Sequence, residues 1–296
     1  MIPKYTTILA LSCLVGLLAV SGCVFPGFQP GPQVTETFNQ TYPAGGVLNL
    51  DVASQNGYVH VSGWDQDVIW VHAVKRSLYG QTELNKVNIT VETGQNLTVR
   101  TVHPLTPAQV SVDYDIKVPM RNLSTIGIDT SNGAIQVEGV AANANAATSN
   151  GRIDMRNIVG NVEAYTSNGA VDIRNINGSA FARSSNARIN ILNTTSLRGA
   201  YTSNGQINVE IYSIPPATTT LQTSNGAINA ALSPNLNATI LAETSNGAIR
   251  VQNISITVQE QTGTLLRGTI GSGGPQIHIL TSNGGIFITR VPLTGV

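Results

Sequence analysis

Two acids and two arginines recur at a spacing that would place them side by side on a repetitive sheet. Asp154 and Arg156 are followed eighteen residues later by Asp172 and Arg174. Residues two apart in a strand share a face, and equivalent strands of stacked coils lie about 4.8 Å apart. Clustered acids with a basic residue are what solenoid carbohydrate-active enzymes use, often with calcium. Diagonal Asp–Arg pairing in a solvated charge ladder explains the same spacing, and we adopt that interpretation.

The remaining chemistry-bearing residue types show no pattern of a catalytic or metal site. Four histidines lie far apart in the sequence: His60, His72, His103 and His278. None has a partner at a ligand spacing such as His-x-x-x-His, so we expect solvated side chains. Calcium-binding solenoids carry regularly placed carboxylates in their turns, and here the acids are sporadic. We therefore predict a non-enzymatic protein with no catalytic residue, metal ligand or cofactor.

The first 22 residues predict a lipoprotein signal peptide. Lys4 is followed by a nearly apolar run from Ile8 to Val20, which is shorter than the roughly 20 residues of a spanning helix. Val20-Ser21-Gly22-Cys23 resembles a lipobox, so we expect Cys23 to be lipidated and to become the mature N-terminus. A plain cleavable signal and an uncleaved anchor are the alternatives. The expected location is the outer, extracytoplasmic face of the cytoplasmic membrane, held there by the lipid.

The composition excludes one class of partner and suggests how the mature chain begins. Sixteen basic and sixteen acidic residues leave no net charge, so the chain lacks the electrostatic footprint of a nucleic-acid-binding protein. Residues 23–35 are rich in proline and glycine, which form neither helix nor central strand. They predict a short stiff tether between the lipid and the folded body.

The architecture follows from a tetrapeptide, Thr-Ser-Asn-Gly, that repeats through the second half of the chain. Its asparagine occupies almost regular positions, with Ser184-Ser185-Asn186-Ala187 as one variant: Asn132, Asn150, Asn168, Asn186, Asn204, Asn225, Asn246 and Asn283. A period of this kind indicates a solenoid in which single coils cannot bury their own apolar faces. We interpret the asparagines as structural turn residues, with stacked amides hydrogen-bonding from coil to coil. A ligand-binding stripe is the alternative.

Two apolar columns accompany the repeat. A large residue follows each Gly position by two, as in Ile153 and Ile189, and a small one precedes the next Thr, as in Ala164 and Ala182. Residues 129–296 therefore predict an all-β fold, a single-stranded parallel β-solenoid (β-helix) of about eight coils. Positive φ at the repeat glycines is the expected reason for their type, and Ala187 would then cost on the order of 1 kcal/mol.

Residues 36–128 show strand patterns with irregular spacing and contain both tryptophans, Trp64 and Trp70. The open end of a solenoid is a sheet edge that would recruit other chains. We therefore predict that this region is an N-terminal β cap.

Several motifs together resemble a known family, the domain-of-unknown-function family described as "putative adhesin". They are Asn-Gly-Tyr-Val-His-Val-Ser-Gly-Trp-Asp at 56–65, Tyr-Asp-Ile-Lys-Val-Pro at 114–119, the Ser-Asn-Gly repeats, and Thr-Ser-Asn-Gly-Gly-Ile at 281–286. The resemblance covers about residues 45–290. It implies an envelope-exposed β-solenoid without an agreed catalytic activity, and it implies no functional residues.

The repeat fails between Asn246 and Asn283, an interval of 37 residues. Residues 252–276 are therefore either a degenerate coil or an insertion, and insertions on solenoids often form the binding face. The function we predict is a lipid-anchored surface module for adhesion or interaction with an envelope polymer or protein. An accessory of envelope-stress sensing that binds a membrane partner is the first alternative, and a carbohydrate-active enzyme the second.

Overall fold

The computed structural model describes residues 32–104 and 108–292, and this part of the chain is almost entirely β. Its one helix, α1 (Gln81–Leu84), is a single turn, and no helix within the described ranges is long and apolar enough to span a bilayer. The strands in chain order are β1 (Val34–Pro43), β2 (Asn49–Ala53), β3 (Val59–Trp64), β4 (Val68–Ser77), β5 (Asn88–Glu92), β6 (Asn96–Val102), β7 (Ser111–Pro119), β8 (Thr125–Thr130), β9 (Ile135–Glu138), β10 (Asn143–Thr148), β11 (Ile153–Val159), β12 (Val162–Thr166), β13 (Val171–Arg183), β14 (Ile189–Tyr201), β15 (Ile207–Ile211), β16 (Thr219–Gln222), β17 (Ile228–Leu232), β18 (Ala238–Thr244), β19 (Ile249–Gln252), β20 (Thr257–Gln261), β21 (Leu265–Ile270), β22 (Gln276–Thr281) and β23 (Ile286–Arg290).

Each coil contributes one strand segment to each of two parallel rows, which confirms the predicted β-solenoid. The isoleucine row, in spatial order, consists of β7, β3, β9, β11, the first halves of β13 and β14, β15, β17, β23 and β19. The alanine row consists of β6, β2, β8, β10, β12, the second halves of β13 and β14, β16, β22 and β18. With ten strands in each row, the stack is about 43 Å long.

The core lies between the two rows and is built from the two columns read from the sequence. Ile153, Ile189 and the equivalent large residues of the isoleucine row point inward and are buried. Ala164 and Ala182 of the alanine row face them and are also buried. Large residues against small ones set the distance between the rows, and the β-branched side chains favour the extended backbone that both rows need.

A second column of asparagines turns the corner between the rows. Asn157, Asn175 and Asn193 have φ of 55°, 56° and 50°, a left-handed conformation that asparagine adopts more readily than most residues. Their side chains hydrogen-bond from coil to coil, with Asn175 donating to Asn157 at 3.0 Å and accepting from Asn193 at 2.8 Å. Asn175 therefore has both a backbone and a side-chain role, and a serine at this position could not make both amide hydrogen bonds.

The threonine of each repeat satisfies the buried polar groups of the turn. Thr166 Oγ1 donates to the carbonyl oxygen of Gly151 in the neighbouring coil at 3.2 Å and accepts from the Gly169 amide of its own coil at 3.1 Å. The same pair of bonds recurs along the stack, and Ser184 makes it where serine replaces threonine. A buried amide or carbonyl without a partner is costly, so the hydroxyl column is structural.

The repeat glycine is required by close approach of the coils and not by positive φ. Gly133, Gly151 and Gly169 do not have positive φ, contrary to the expectation from the sequence. A methyl group placed on Gly151 would overlap the carbonyl oxygen of Gly133, and the same overlap recurs from coil to coil. A residue without Cβ lets the turns stack at strand spacing without displacing the neighbouring carbonyl group. Ala187 is the exception in this column, and its amide keeps the bond to Ser184 Oγ at 3.2 Å.

The stack does not begin at residue 129, because the region assigned to the cap contributes coils of its own. β2 pairs in parallel with β8, and β3 with β9, so Ser54-Gln55-Asn56-Gly57 lies where a repeat tetrapeptide would. The next coil along the chain, β6–β7, lies on the other side of β2–β3. Spatial order therefore differs from chain order at this end. Capping itself falls to antiparallel strands: β4 and β1 extend the isoleucine row, and β5 extends the alanine row.

The C-terminal end repeats this interleaving, which explains the gap of 37 residues. Coil β18–β19 is the outermost, and the later coil β22–β23 is inserted between it and β16–β17. Residues 252–276 between them form the antiparallel hairpin β20–β21 and the turn that leads back into the stack. The hairpin extends the alanine row beyond β18. The segment is thus neither a degenerate coil nor a displayed insertion but a cap for the end of one row.

The close approach of the turns predicts which glycine substitutions the stack tolerates. We expect Gly151→Ala to lower the free energy of unfolding by about 1–3 kcal/mol, because the new methyl must push two coils apart. Gly263→Ala is the matched control, since no other atom lies within 4 Å of the position that its new methyl would take; it should change stability by less than about 0.5 kcal/mol. Denaturant unfolding followed by circular dichroism measures both. Equal stability of the two variants would contradict the steric role of Gly151.

Candidate functional site

The predicted turn asparagines form one continuous amide ladder on the surface. Each Nδ2 donates to the Oδ1 of the neighbouring coil at 2.6–2.8 Å, in the spatial order Asn56, Asn132, Asn150, Asn168, Asn186, Asn204, Asn225, Asn283 and Asn246. Each internal asparagine side chain thus uses one hydrogen-bond donor and its acceptor oxygen in bonds to its two neighbours. The ladder stiffens the stack and leaves less capacity for a ligand than free amides would have.

The cluster of acids and arginines lies on the outer face of the isoleucine row and is mutually paired. The Asp172 side chain is only 1% exposed, with Arg152 Nη2 2.9 Å and Arg174 Nη2 3.2 Å from its oxygens. Asn190 donates to the same carboxylate at 2.7 Å and begins a third amide ladder. Arg152 also reaches Asp154, two residues further along its own coil, at 3.2 Å. The contact between neighbouring coils is therefore made by Arg152 with Asp172, whereas the expected diagonal pairing of Asp154 and Asp172 with Arg156 and Arg174 is absent from the ion pairs of the described residues.

His60 extends the paired face toward the N-terminal end of the stack. Its Nδ1 lies 3.3 Å from Asp115 and its Nε2 lies 3.0 Å from Glu138. Arg156, predicted to belong with Asp154 and Asp172, instead donates to Glu138 at 2.7 Å. Burial acts to raise the pKa of Glu138, but the hydrogen bonds from Arg156 and His60 outweigh it and hold that pKa below its usual value. A histidine with a carboxylate on each nitrogen is held in place on both sides, which does not suit a general base.

The other histidines also differ from the solvated side chains expected. His278 Nε2 lies 3.0 Å from Glu243, and His72 stacks on Trp70 with 5.2 Å between ring centroids. His103 is partly buried, and burial lowers the pKa of its ring. These histidines lie apart, and within residues 32–104 and 108–292 no group of three or more His, Cys, Asp and Glu side chains is arranged to hold a metal ion.

A cluster of aromatic side chains, missed in the sequence, lies on the outer face of the alanine row. Tyr165, Phe181 and Tyr201 are neighbours across β12, β13 and β14, with centroids 5.7 Å and 5.6 Å apart. The signal was available, because the alternation that buries Ala164 and Ala182 sends the adjacent residues outward. We call these three rings the aromatic cluster.

Polar contacts fix the aromatic cluster from one side. Tyr165 donates its hydroxyl to Glu163 at 2.7 Å, and Arg198 donates to the other oxygen of Glu163 at 2.6 Å. The Arg198 guanidinium also lies 5.8 Å from the centre of the Phe181 ring. The hydrogen bonds from Arg198 and Tyr165 hold the pKa of Glu163 below its usual value, so the carboxylate is ionised at neutral pH. The rings are therefore held in a defined arrangement on an exposed surface.

A groove of about 410 Å³ runs beside Tyr165 along the same face. Asp129 lies at one end and Arg183 at the other, on the same column of outward residues as Tyr165. Ala147 forms the floor, and the groove is bordered by the exposed serines of the repeat turns, Ser149, Ser167 and Ser185. A smaller groove of about 280 Å³ on the isoleucine-row face is bordered by Tyr58, Arg152 and Asp154, but there the arginine and the aspartate are paired with each other.

The predicted lipidation site lies outside the described residues. Cys23, the signal peptide 1–22 and most of the tether 23–35 precede residue 32, where the described part of the chain begins. The end of the tether differs slightly from the prediction, because β1 already starts at Val34.

Comparisons with known proteins found a matching family model and several similar solved structures. A family model described as Toastrack DUF4097 matches residues 47–289. Among solved structures, a putative adhesin from Bacteroides fragilis is similar, with 13% identity, a TM-score of 0.45, and coverage of 90% of this chain and 100% of that chain. A putative adhesin from Parabacteroides merdae has 10% identity, a TM-score of 0.29, and coverage of 88% and 98%. A putative cell adhesion protein from Clostridium sporogenes has 11% identity, a TM-score of 0.25, and coverage of 87% and 100%. No curated protein matches the chain.

The pairing around Asp172 predicts that its charge is dispensable for folding. We expect Asp172→Asn to change the free energy of unfolding by less than about 1 kcal/mol, because an amide oxygen still accepts from Asn190 and the half-exposed arginines return to water. The double variant Arg152→Gln/Arg174→Gln, which leaves the carboxylate buried without its closest cations, should lose about 1–3 kcal/mol. Urea unfolding at neutral pH compares them. A larger loss in Asp172→Asn than in the double variant would refute this account of the cluster.

Proposed function

We propose that this chain, which belongs to the Toastrack DUF4097 family, is a lipid-anchored, non-enzymatic protein of the cell envelope that presents a rigid interaction surface. The stack holds its two outer faces in fixed positions, because the coils from β2–β3 to β18–β19 are linked through backbone hydrogen bonds, repeat-turn hydroxyls and the amide ladder. Such a scaffold suits recognition of a polymer or a protein partner without a conformational step.

The pairing of the acidic residues on the isoleucine row is the observation that carries the non-enzymatic part. Asp115, Glu138, Asp154 and Asp172 each lie against a histidine or an arginine. A general acid or base needs a proton exchanged with substrate, and a solenoid lyase needs carboxylates open to a cation or a sugar. Here the basic partners already occupy the positions where these would bind.

Lipidation at Cys23 would place the stack close to the bilayer. Val34, where the first strand begins, is eleven residues beyond Cys23, and an extended chain of that length spans at most about 40 Å. The tether enters at β1, which lies at the N-terminal end of the stack, so that end would be nearest the membrane. The coils toward β19 and β20 would then be presented outward.

The anchor predicts a change of location on a single substitution. We expect Cys23→Ser to abolish incorporation of labelled fatty acid and to move the protein out of the washed membrane fraction, with the fold unchanged by circular dichroism. The matched control is Cys13→Ser, which changes the other cysteine and should leave labelling intact. Labelling that persists in Cys23→Ser would overturn the anchor.

The interaction role is tested by binding of the full mature chain to intact cells and to isolated envelope polysaccharide. We expect saturable binding and no turnover of the polysaccharide. Release of reducing or unsaturated ends, abolished in Asp172→Ala, would overturn the non-enzymatic assignment. Recovery of one membrane protein by cross-linking, without polymer binding, would favour the accessory role in stress sensing over adhesion.

A further inference from the structure

The outer face of the alanine row exposes a group of aromatic side chains that the core does not use. Tyr165 is 39% exposed, and Tyr201 lies two strands further along the same column, with Phe181 between them in the adjacent column. Aromatic residues are costly to leave in water and are typical of binding surfaces, where a rigid ring provides contact area at little entropic cost. The rings are also fixed before any ligand arrives, because Glu163 and Arg198 hold them.

Four charged side chains lie near the aromatic cluster: two form an ion pair with each other, and two have no ion-pair partner in the described part of the chain. Glu163 and Arg198 neutralise each other. Arg183 lies between Tyr165 and Tyr201 on their column, and in the described part of the chain neither Arg183 nor Asp129 makes a side-chain hydrogen bond or ion pair. This contrasts with the isoleucine row, where Arg152, Arg156 and Arg174 are all paired.

The spacing of these groups fits an elongated ligand. Asp129 and Arg183 are separated by three strand steps on one column, which is about 14 Å along the stack. Between them lie the Tyr165 ring and a border of serine hydroxyls. Along the groove there are therefore, in order, the Asp129 carboxylate as a hydrogen-bond acceptor, the small side chain of Ala147, the Tyr165 ring and the Arg183 guanidinium.

Resting on the proposed interaction role, we propose that this groove binds an acidic saccharide, with a sugar ring on Tyr165 and a sugar carboxylate on Arg183. A saccharide presents an apolar ring face and many hydroxyls, which match the tyrosine and the serine border. A carboxylate pairs with a guanidinium through two parallel hydrogen bonds, which lysine or an amide does not reproduce. Asp129 accepts from sugar hydroxyls and repels a second carboxylate, so it fixes the direction in which the ligand lies.

Other ligand chemistries fit the groove less well. A polyanion with a charge on every unit would meet Asp129 as well as Arg183, and the chain has no net positive charge to attract it. A purely apolar ligand would leave Arg183 and the hydroxyl border without partners in the complex. A saccharide with isolated carboxylates satisfies the ring, the hydroxyls and the single cation together.

The test uses the full mature chain and two probes, a galacturonate-containing oligosaccharide with alternating neutral units and a neutral malto-oligosaccharide of equal length. We expect saturable binding of the acidic probe by titration calorimetry and at least tenfold weaker binding of the neutral one. Tyr165→Ala and Arg183→Gln should each weaken binding of the acidic probe at least tenfold, whereas Tyr165→Phe should retain it. Thermal unfolding must be unchanged in each variant, and Tyr165→Phe, which keeps the ring, covers the case in which Tyr165→Ala unfolds.

Matched controls lie on the opposite face of the stack. Tyr58→Ala and Arg250→Gln remove an exposed tyrosine and an exposed arginine from the isoleucine-row side and should leave binding unchanged. Equal binding of the two probes, or no effect of Arg183→Gln, would overturn the assignment of an acidic saccharide. If neither probe binds while intact cells are still bound, this inference fails and the proposed interaction role stands. If cells are not bound either, the proposed role fails as well.

Discussion

The structure depends on how closely one repeat turn can approach the next. At the repeat turns other than Ser184–Ala187, the glycine of one coil lies against a backbone carbonyl of its neighbour with no room for a Cβ, and the threonine hydroxyl links the same two coils. Strand spacing is fixed by backbone hydrogen bonds, so the turns must stack at the same distance as the strands. Glycine provides the space and threonine satisfies the polar groups that this proximity buries. The exposed asparagine ladder then adds hydrogen bonds to a turn geometry that the threonine and the glycine of the same tetrapeptide have already set.

A stack of this kind has two open ends, and the chain treats both in the same way. At the N-terminal end, β2–β3 is enclosed between β6–β7 and β8–β9, two coils that both follow it in the sequence. At the C-terminal end, β22–β23 is enclosed between β16–β17 and β18–β19, two coils that both precede it. An outermost coil therefore cannot peel away without opening contacts with a segment distant in sequence. Antiparallel strands then cover three of the four row ends, which reduces the parallel edges available for pairing with other chains.

The regular repeat made the fold predictable from the sequence. The parts that could not be predicted are those in which the repeat is interrupted. The Thr-Ser-Asn-Gly period and the columns through Ile189 and Ala182 predicted the parallel stack and its core, because period 2 and period 18 are both written in the chain. Asn56 was missed as part of the ladder because its coil neighbours in space, at 96–119 and 125–138, both follow it at irregular intervals. The placement of β22–β23 between β16–β17 and β18–β19 has no local signature in the sequence, because it depends on pairing between segments that are far apart in the chain.

The same distinction separates the two outer faces and explains why sequence reasoning singled out the charges of the isoleucine row and not the groove of the alanine row. Asp154, Asp172, Arg156 and Arg174 attracted notice because charges recur at the repeat period, yet each of them is already paired: Asp154 and Asp172 with Arg152, Arg174 with Asp172, and Arg156 with Glu138. Asp129, Ala147, Tyr165 and Arg183 occupy equivalent positions on successive coils but differ in type, so they form no repeat and gave no signal. Positions that maintain the stack must be alike from coil to coil, whereas a ligand with a direction needs neighbours that differ. On a solenoid, a binding site is therefore expected where the outward residues depart from the repeat while the inward ones keep it, as on β8 to β14 of the alanine row.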